Sequence, residues 1–398
     1  MNSVDENKVK FAERVNKVPK SFVREILKVT ERPEVISFAG GLPNPALFPV
    51  EDIKKATDKV LDKDGAKVLQ YSTTEGYKPL REYIVNRYYK DCGVTADNIL
   101  ITNGSQQALD LIGKIMLDKN DYVMVERPGY LGAIQCFGVF EPKFVSVELN
   151  EDGINLNELE EKLNENKPKL FYAVTNFQNP SGITYSNENR EALTEIVKKT
   201  NTIMIDDNPY GELRFYGENA KSMKSLLGDQ CIALGSFSKI FAPAMRLGWV
   251  CASSEIIEKL VVMKQAADLH TNYFSQRVLY EYLCDYDIDE HIREIRKAYK
   301  ESRDYMVEMI KKYMPSEIKY TEPHGGMFLW MTVPKSINVS ELLEKAGEEN
   351  VAFVPGIPFY AIREEDPANT MRLNYTNSSF EDIEKGISAL AKVIKECL

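Results

Sequence analysis

A lysine, two serines and an arginine lie close together in one segment of the chain. Lys239 follows Ser236 and Ser238 at alternate positions, and Arg246 comes seven residues after it. Two hydroxyls and a planar guanidinium can bind a phosphate dianion. A lysine beside them, in a partly apolar setting, would have a lowered pKa and could form a Schiff base. Taken alone, the segment fits a solvated loop with a surface lysine equally well.

The sequence around this segment predicts strands and helices in alternation. Residues 231–234 before the lysine and 247–251 after it are apolar, as in buried strands. From residue 98 onwards, short apolar runs alternate with patterns of helical periodicity. The predicted strands are 98–102, 122–125, 144–147, 170–174, 203–205, 232–234 and 248–251. This alternation indicates an α/β domain with a largely parallel sheet, which binds ligands at the carboxyl ends of its strands.

Residues able to do chemistry follow these strands repeatedly. They are Ser105, Tyr130, Asn179, Asp207 with Tyr210, and the segment Ser236–Lys239. Five such placements favour a functional interpretation of the lysine over a solvated loop. The turn before Ser105 enters a helix, so its free N–H groups and the helix dipole suit a phosphate. Glycine and serine also cap helices for purely structural reasons, so this turn is weak evidence alone.

The remaining patterns predict a second, smaller lobe. A capped helix is expected at 21–27, amphipathic helices at 51–62 and from Lys78, and two helices within 254–312, with 268–274 between them or interrupting the first. A second α/β region follows, with strands at 325–331, 351–354 and 371–375 and helices at 340–349 and from Phe380. We predict an N-terminal arm over 1–49 that joins the small domain, a large domain over 50–285 and a small domain over 286–398.

Composition excludes several classes of protein. The chain has 398 residues, a net charge of −10 and a pI near 5.2, so its overall field repels nucleic acid and anionic membranes. An anionic substrate must therefore be bound by local arginines. The six cysteines form no C-x-x-C pair and the three histidines are scattered, which predicts reduced thiols and no metal site. With no signal peptide or membrane span in the sequence, we expect a cytoplasmic protein.

Nine blocks, in order along the chain, resemble one known family. They read SFAGGLPNPALFP, QYSTTEGYKPLR, TNGSQQALDL, ERPGYLGAIQ, NFQNPSG, IDDNPYGEL, GSFSKIFAPAMRLGW, HGGMFLW and MRLNY. The chain resembles the class I/II, fold-type I aminotransferases that depend on pyridoxal phosphate, and especially the 2-aminoadipate and kynurenine subgroup. The resemblance implies a large domain with a mostly parallel seven-stranded sheet between helices, and a smaller α/β C-terminal domain.

The resemblance also implies roles around the cofactor ring. Lys239 forms the internal aldimine and later moves the substrate's Cα proton. Asp207 pairs with the pyridine nitrogen, because a buried aspartate favours the protonated ring that acts as an electron sink. Tyr210 hydrogen-bonds the ring 3-oxygen. Asn179 supports that oxygen and reaches the substrate carboxylate, and Tyr130 stacks on the ring.

Further roles concern the phosphate, the substrate and a second subunit. The implied phosphate ligands are Ser105, Gln106, Ser236, Ser238 and Arg246. Tyr71 would reach the phosphate of the neighbouring subunit of a homodimer. Arg372, helped by the backbone of Gly41, would bind the α-carboxylate and orient the Cα–H bond. Arg24 would pair with a distal substrate carboxylate, although most such helix arginines are merely solvated.

The predicted function is transfer of an amino group from an L-amino acid to a 2-oxo acid by ping-pong chemistry. Glutamate, 2-aminoadipate, aromatic and branched-chain amino acids are candidate donors, with 2-oxoglutarate as an acceptor. β-Elimination on the same cofactor is the alternative within enzymes. Nucleotide-binding motifs are absent, since residues 102–106 read TNGSQ and Gly113-Lys114 lacks the other P-loop residues. A sensor domain behind a DNA-binding module is disfavoured, because only ~30 residues precede the first block and a DNA-reading domain needs more.

Overall fold

The structure is a computed structural model that describes residues 9–17, 32 and 34–398. The helix predicted at 21–27, with Arg24, lies outside the described residues. The helices are α1 Val50–Asp64, α2 Lys78–Tyr88, α3 Ser105–Met116, α4 Leu131–Gly138, α5 Leu156–Asn166, α6 Asn187–Val197, α7 Met223–Leu227, α8 Ser254–Ala267, α9 Tyr273–Asp285, α10 Ile288–Tyr313, α11 Val339–Glu348 and α12 Phe380–Cys397. The strands are β1 Ile36–Ser37, β2 Ile99–Thr102, β3 Tyr122–Arg127, β4 Lys143–Asn150, β5 Gly153–Ile154, β6 Leu170–Ala173, β7 Ile203–Asp207, β8 Cys231–Ser236, β9 Gly248–Cys251, β10 Lys319–Tyr320, β11 Phe328–Thr332, β12 Val351–Ala352, β13 Val354–Pro355 and β14 Thr370–Asn374.

A large sheet forms the centre of the molecule. Its eight strands have the order β2-β9-β8-β7-β6-β3-β4-β5, and the five from β8 to β4 pair in parallel. Strand β9 is antiparallel to both of its neighbours, and β5 is antiparallel to β4. The mostly parallel sheet flanked by helices is therefore confirmed, and all seven predicted strands are present. The eighth strand, β5, has two residues and is too short to give an apolar pattern.

Burial explains why these segments form strands. All four residues of the edge strand β2 and all six of the central strand β8 are buried, so both faces of these strands are covered. Helix α3 has the complementary pattern: Ala108, Leu109, Leu111 and Ile112 are fully buried. Each such leucine or isoleucine contributes about 1.5–3 kcal/mol relative to an exposed one. The sheet therefore fixes where the loops after its strands begin.

A second region packs beside the large sheet. Strands β10-β11-β14-β13 form an antiparallel sheet, and β1 pairs in parallel with β12. The segment after residue 34 thus joins the C-terminal region. Strand β14 carries Arg372, which lies opposite Trp330 of β11 and Val354 of β13. The proposed domain limits stay a prediction; the limit at 285/286 falls between α9 and α10.

Two predictions about this region are wrong in detail. Residues 254–312 contain three helices rather than two, because the chain breaks at 268–272 and again before α10. The second break has a local cause, since the Asp287 side chain accepts from the backbone N–H of Asp289 and caps α10. The strand predicted at 351–354 is two strands, β12 and β13, which pair with different sheets.

The described residues contain no candidate membrane-spanning helix, no candidate metal-binding group and no disulfide. No helix in this part of the chain is long and apolar enough to cross a membrane. Within residues 9–17, 32 and 34–398, no group of three or more His, Cys, Asp or Glu side chains could hold a metal ion. All six cysteines are free; Cys231 and Cys251 are buried, whereas Cys284 is exposed.

Candidate active site

A cavity of 310 Å³ lies at the carboxyl ends of the central strands. Twelve of the fourteen predicted site residues line it. They are Gly41, Ser105, Gln106, Tyr130, Asn179, Asp207, Tyr210, Ser236, Ser238, Lys239, Arg246 and Arg372. Their positions span more than 330 residues of sequence, and the parallel sheet brings them to one edge.

Lys239 lies just beyond β8, and its side chain points into the cavity. Its Nζ donates to the carbonyl oxygen of Gly41 at 2.8 Å. Burial, together with the positive charges of Arg372 and Arg246, lowers the pKa of Lys239 to about 8. A larger fraction of this amine is therefore unprotonated near neutral pH than of an ordinary lysine, and the unprotonated amine is the form that acts as nucleophile or base. Gly41, whose backbone is predicted to help bind the substrate, thus also contacts this amine through its carbonyl.

Asp207 ends β7 and is a buried carboxylate with one free oxygen. Its Oδ2 accepts from the Tyr172 hydroxyl at 2.8 Å, while its buried Oδ1 has no hydrogen-bond partner in the structure. Burial raises the pKa of Asp207 to about 7, against the lowering effect of the Tyr172 hydrogen bond. A buried, unpaired carboxylate oxygen is costly. A cationic N–H donor bound inside the cavity would satisfy Oδ1.

Arg372, Asn179 and Tyr210 form a connected group on another wall. Arg372 is 3% exposed. Its Nη1 donates to Asn179 Oδ1 at 2.8 Å and its Nη2 to the Ala39 carbonyl at 2.6 Å. The Asn179 Nδ2 atom lies 3.4 Å from the Tyr210 hydroxyl, to which it donates. Burial raises the pKa of that hydroxyl. Asn179 thus fixes the arginine and the tyrosine relative to each other.

The Arg372 guanidinium also has an apolar surrounding and an unused donor. Its Cζ lies 4.2 Å from the ring centre of Phe328 and 5.2 Å from that of Phe359. Its Nε has no hydrogen-bond partner in the structure. Burial lowers the pKa of Arg372 to about 10. A buried cation with a free N–H in a cavity is suited to bind a carboxylate.

The predicted phosphate ligands come together from two loops. Ser105 begins α3, next to Gly104, and the Ser236 hydroxyl accepts from the backbone N–H of Ser238 at 3.1 Å. Arg246 is exposed and donates from Nη2 to the Asn103 carbonyl at 2.9 Å. Gly104 has a φ of +75°, and a Cβ there would lie 2.7 Å from Arg246 Nη2. We call Ser105, Gln106, Ser236, Ser238 and Arg246 the phosphate cluster.

Tyr130 lies at the start of α4 and faces the same cavity. Its ring is nearly parallel to that of Tyr172, with centres 6.5 Å apart. Burial raises the pKa of Tyr130 to about 12, so its hydroxyl stays protonated. A neutral aromatic face on the cavity wall fits the stacking role predicted for it.

Two predicted residues are not brought to this cavity. Tyr71 is 78% exposed and meets the edge of the His270 ring at a centre distance of 5.8 Å. Its exposure leaves it available to a second copy of the chain. Arg24 lies outside the described residues.

Several residues of the cavity wall carry no signal in the sequence. Tyr172 holds Asp207, and Phe328 with Phe359 surrounds Arg372. Tyr172 occupies the second-to-last position of β6, where its polar end is indistinguishable in sequence from an ordinary core tyrosine. Phe328 belongs to the motif HGGMFLW, but nothing in the sequence places its aromatic ring beside an arginine 44 positions later.

Comparison with known proteins assigns this geometry to a family. The sequence model of the family described as aminotransferase class I and II matches residues 34–390. The chain belongs to the class I and II aminotransferase family. It is 44% identical to aromatic-amino-acid aminotransferase 1 of Thermococcus litoralis, over 97% of this chain and 94% of that protein. It is 40% identical to 2-aminoadipate transaminase of Thermus thermophilus, over 98% and 97% of the two chains.

Solved structures agree with this assignment. The kynurenine aminotransferase of Pyrococcus horikoshii, solved in complex with PMP, superposes with a TM-score of 0.93 at 44% identity, over 97% of each chain. The aminotransferase is therefore a fold-type I enzyme that performs transamination with pyridoxal phosphate. The residues of the cavity fit that cofactor. Asp207 Oδ1 lacks a donor that a protonated ring nitrogen supplies, and the phosphate cluster lies at a helix N-terminus, where anions are stabilised.

Proposed function

We propose that this aminotransferase acts on aromatic and acidic L-amino acids, with 2-oxoglutarate as an acceptor. The observation that carries the proposal is one cavity holding the Lys239 amine, the unpaired Asp207 oxygen and the buried Arg372 guanidinium. The relatives named for aromatic amino acids, 2-aminoadipate and kynurenine support this range of donors. Glutamate is one of the acidic donors, and branched-chain amino acids are further candidate donors from the sequence resemblance alone.

The cofactor would be held at its two ends. The phosphate cluster binds the phosphate, through hydroxyls, backbone N–H groups and the Arg246 guanidinium. Asp207 would bind the ring nitrogen and keep it protonated, Tyr210 and Asn179 would hydrogen-bond the ring oxygen, and Tyr130 would stack on the ring. When bound, pyridoxal phosphate withdraws electron density from the substrate Cα, which makes its proton removable.

Arg372 positions the substrate. Two of its nitrogens already bond Asn179 and the Ala39 carbonyl, so the guanidinium has little freedom to rotate. Its remaining N–H groups, including that of Nε, are available for the α-carboxylate. The apolar rings of Phe328 and Phe359 exclude water, which strengthens this ion pair. A carboxylate fixed in this way holds the Cα–H bond in one direction.

Lys239 moves the proton. An amine whose pKa is about 8 is substantially neutral at pH 8, whereas an amine with the ordinary value of 10.5 is almost wholly charged. Nζ can therefore accept the Cα proton and later give it back. Arg372 and Arg246 supply part of the lowering, so the residues that bind the two anionic groups also prepare the base.

A homodimer is part of the proposal. Tyr71, with its exposed side chain, would reach the phosphate held by the partner subunit, and Leu69 beside it is also 68% exposed. In the proposed dimer the second copy would cover these two neighbouring side chains. We also propose a cytoplasmic location, based on the sequence features given above.

A half-reaction assay tests the proposed specificity. The aldehyde form of the enzyme is mixed with single amino acids, and conversion of the cofactor to its amine form is followed by absorbance. We expect fast conversion by glutamate, 2-aminoadipate, kynurenine and phenylalanine, with no ammonia released. Ammonia release with the aldehyde form retained would instead support β-elimination, an alternative that the reported aminotransferase relatives do not favour. Conversion by none of the four amino acids would refute the proposed substrate range.

A further inference from the structure

A buried charged network lies beneath the start of α3. Lys264 on α8 has a fully buried side chain, and its Nζ lies 3.0 Å from each carboxylate oxygen of Asp268. Nζ also donates to Gln107 Oε1 at 2.8 Å. A buried ammonium is costly unless an acid compensates it. A simple ion pair at the end of α8 would therefore explain the contacts of Lys264.

The Asp268 carboxylate makes further contacts that such a pair does not need. Its Oδ2 accepts from Asn103 Nδ2 at 2.6 Å and from Gln107 Nε2 at 2.7 Å. The backbone N–H of Asn103 donates in turn to Gln107 Oε1 at 2.8 Å. Asn103 is therefore held at its side chain and at its backbone. Both contacts lead back to Asp268, the first directly and the second through Gln107.

Asn103 opens the turn that presents the phosphate cluster. We call residues 103–105 the phosphate turn. The Asn103 carbonyl accepts from Arg246 Nη2, and Gly104 approaches that guanidinium so closely that a Cβ would lie 2.7 Å from it. The position of Asn103 therefore sets the position of Arg246. It also sets the direction of the free N–H groups at the start of α3.

We propose that Asp268 is a positioning residue for phosphate binding, and that it acts by holding Asn103 rather than through its charge. The proposal rests on the proposed phosphate cluster. The direction of the change in phosphate affinity when Asp268 is removed distinguishes this positioning role from a purely electrostatic one. Removing a negative charge near an anion site should tighten phosphate binding if charge alone mattered. Releasing the phosphate turn should weaken phosphate binding, and the loss of residues that orient metal ligands, a comparable case, commonly changes affinity by about 10- to 100-fold.

The test compares two ligands that differ only in the phosphate. Dissociation constants of pyridoxamine phosphate and pyridoxamine are measured by calorimetry on the full-length chain freed of cofactor, at fixed ionic strength. Asp268→Ala should raise the dissociation constant of pyridoxamine phosphate by roughly 10-fold or more and change that of pyridoxamine by less than about 2-fold. Asn103→Ala, which leaves all charges in place, should do the same.

A double-mutant cycle shows whether Asp268 acts through Asn103. If it does, the double variant should bind pyridoxamine phosphate no more weakly than the weaker single variant, because residues in one network are not additive. The matched control is Asp121→Ala. Asp121 is also a partly exposed aspartate paired with a lysine, Lys169 at 2.7 Å, but it lies next to the amino-terminal end of β3. This control should leave both constants unchanged.

Three results would overturn the proposal. They are unchanged or tighter binding of pyridoxamine phosphate in Asp268→Ala, an equal loss for both ligands, or additive effects in the cycle. If Asp268→Ala does not fold, Asn103→Ala decides alone, and unchanged affinity there overturns the proposal. Arg246→Gln reports separately on the phosphate cluster. If it too leaves pyridoxamine phosphate affinity unchanged, the proposed phosphate cluster is itself wrong.

Discussion

Replacing Lys239 by methionine should stabilise the cofactor-free protein at neutral pH. The lysine amine is partly buried, and the charges of Arg372 and Arg246 oppose its protonation. At pH 7 the amine is nevertheless protonated in the folded and the unfolded chain, so folding carries the cost of burying that charge. Methionine has a similar length and no charge, and it removes this cost.

The size of the expected gain in stability follows from the lowered pKa of Lys239. The difference between the ordinary value of 10.5 and about 8 corresponds to a cost of about 3 kcal/mol, at about 1.4 kcal/mol per pKa unit. Partial exposure reduces that figure, and the lost hydrogen bond to the Gly41 carbonyl offsets about 1 kcal/mol more. We expect Lys239→Met to raise the free energy of unfolding by about 1–2 kcal/mol at pH 7.

The pH dependence has a definite sign. Between pH 8 and 10.5 the folded chain loses the Lys239 proton before the unfolded chain does, so wild-type stability rises relative to the variant. The advantage of Lys239→Met should therefore be full below pH 8 and should disappear near pH 10.5. Urea unfolding at several pH values, without cofactor, measures it. Lys78→Met, at a lysine that is 69% exposed, serves as the control. A variant no more stable than wild type at pH 7, or a pH-independent difference, would refute this reasoning.

Three further variants test individual roles. Asp207→Ala should lower kcat about 100-fold or more at saturating cofactor, because the ring nitrogen loses its buried counter-charge; Asp207→Glu should recover part of it, and equal rates in both would contradict the role. Arg372→Lys should raise KM for amino and oxo acids by roughly 10- to 100-fold, since lysine lacks the bidentate fork, and an unchanged KM would exclude Arg372 as the carboxylate ligand. Arg24→Ala should reduce kcat/KM for glutamate and 2-aminoadipate roughly 10-fold more than for leucine or phenylalanine. Equal losses for all four amino acids would contradict a role of Arg24 in specificity.

Local patterns predicted most of the fold. Buried strands such as β8 and β9 appear in the sequence as short apolar runs, and amphipathic helices such as α12 appear as 3.6-residue periodicity. The failures are short or interrupted elements. Strand β5 has two residues, and Phe353 separates two short strands that belong to different sheets. Such features depend on tertiary pairing, which a local pattern does not encode.

The candidate site was predictable where a residue follows a strand or belongs to a motif. Lys239, Asp207 and Arg372 meet this condition, and the structure brings them to one cavity. Partners that act through these residues were not found. Tyr172 is an apolar-run residue whose hydroxyl matters only because Asp207 lies on the neighbouring strand, and Asp268 contacts Asn103 across 165 positions. Contacts of this kind need the assembled fold.

The most direct test of the central claim is to find which amine binds the cofactor. The enzyme with bound pyridoxal phosphate is treated with borohydride, which converts the reversible bond between cofactor and lysine into a stable one, and its peptides are mapped by mass spectrometry. The account predicts one modified residue, Lys239, at a stoichiometry near one per chain, and no such adduct in Lys239→Met. A stable adduct on another lysine, or full turnover in Lys239→Met, would contradict it.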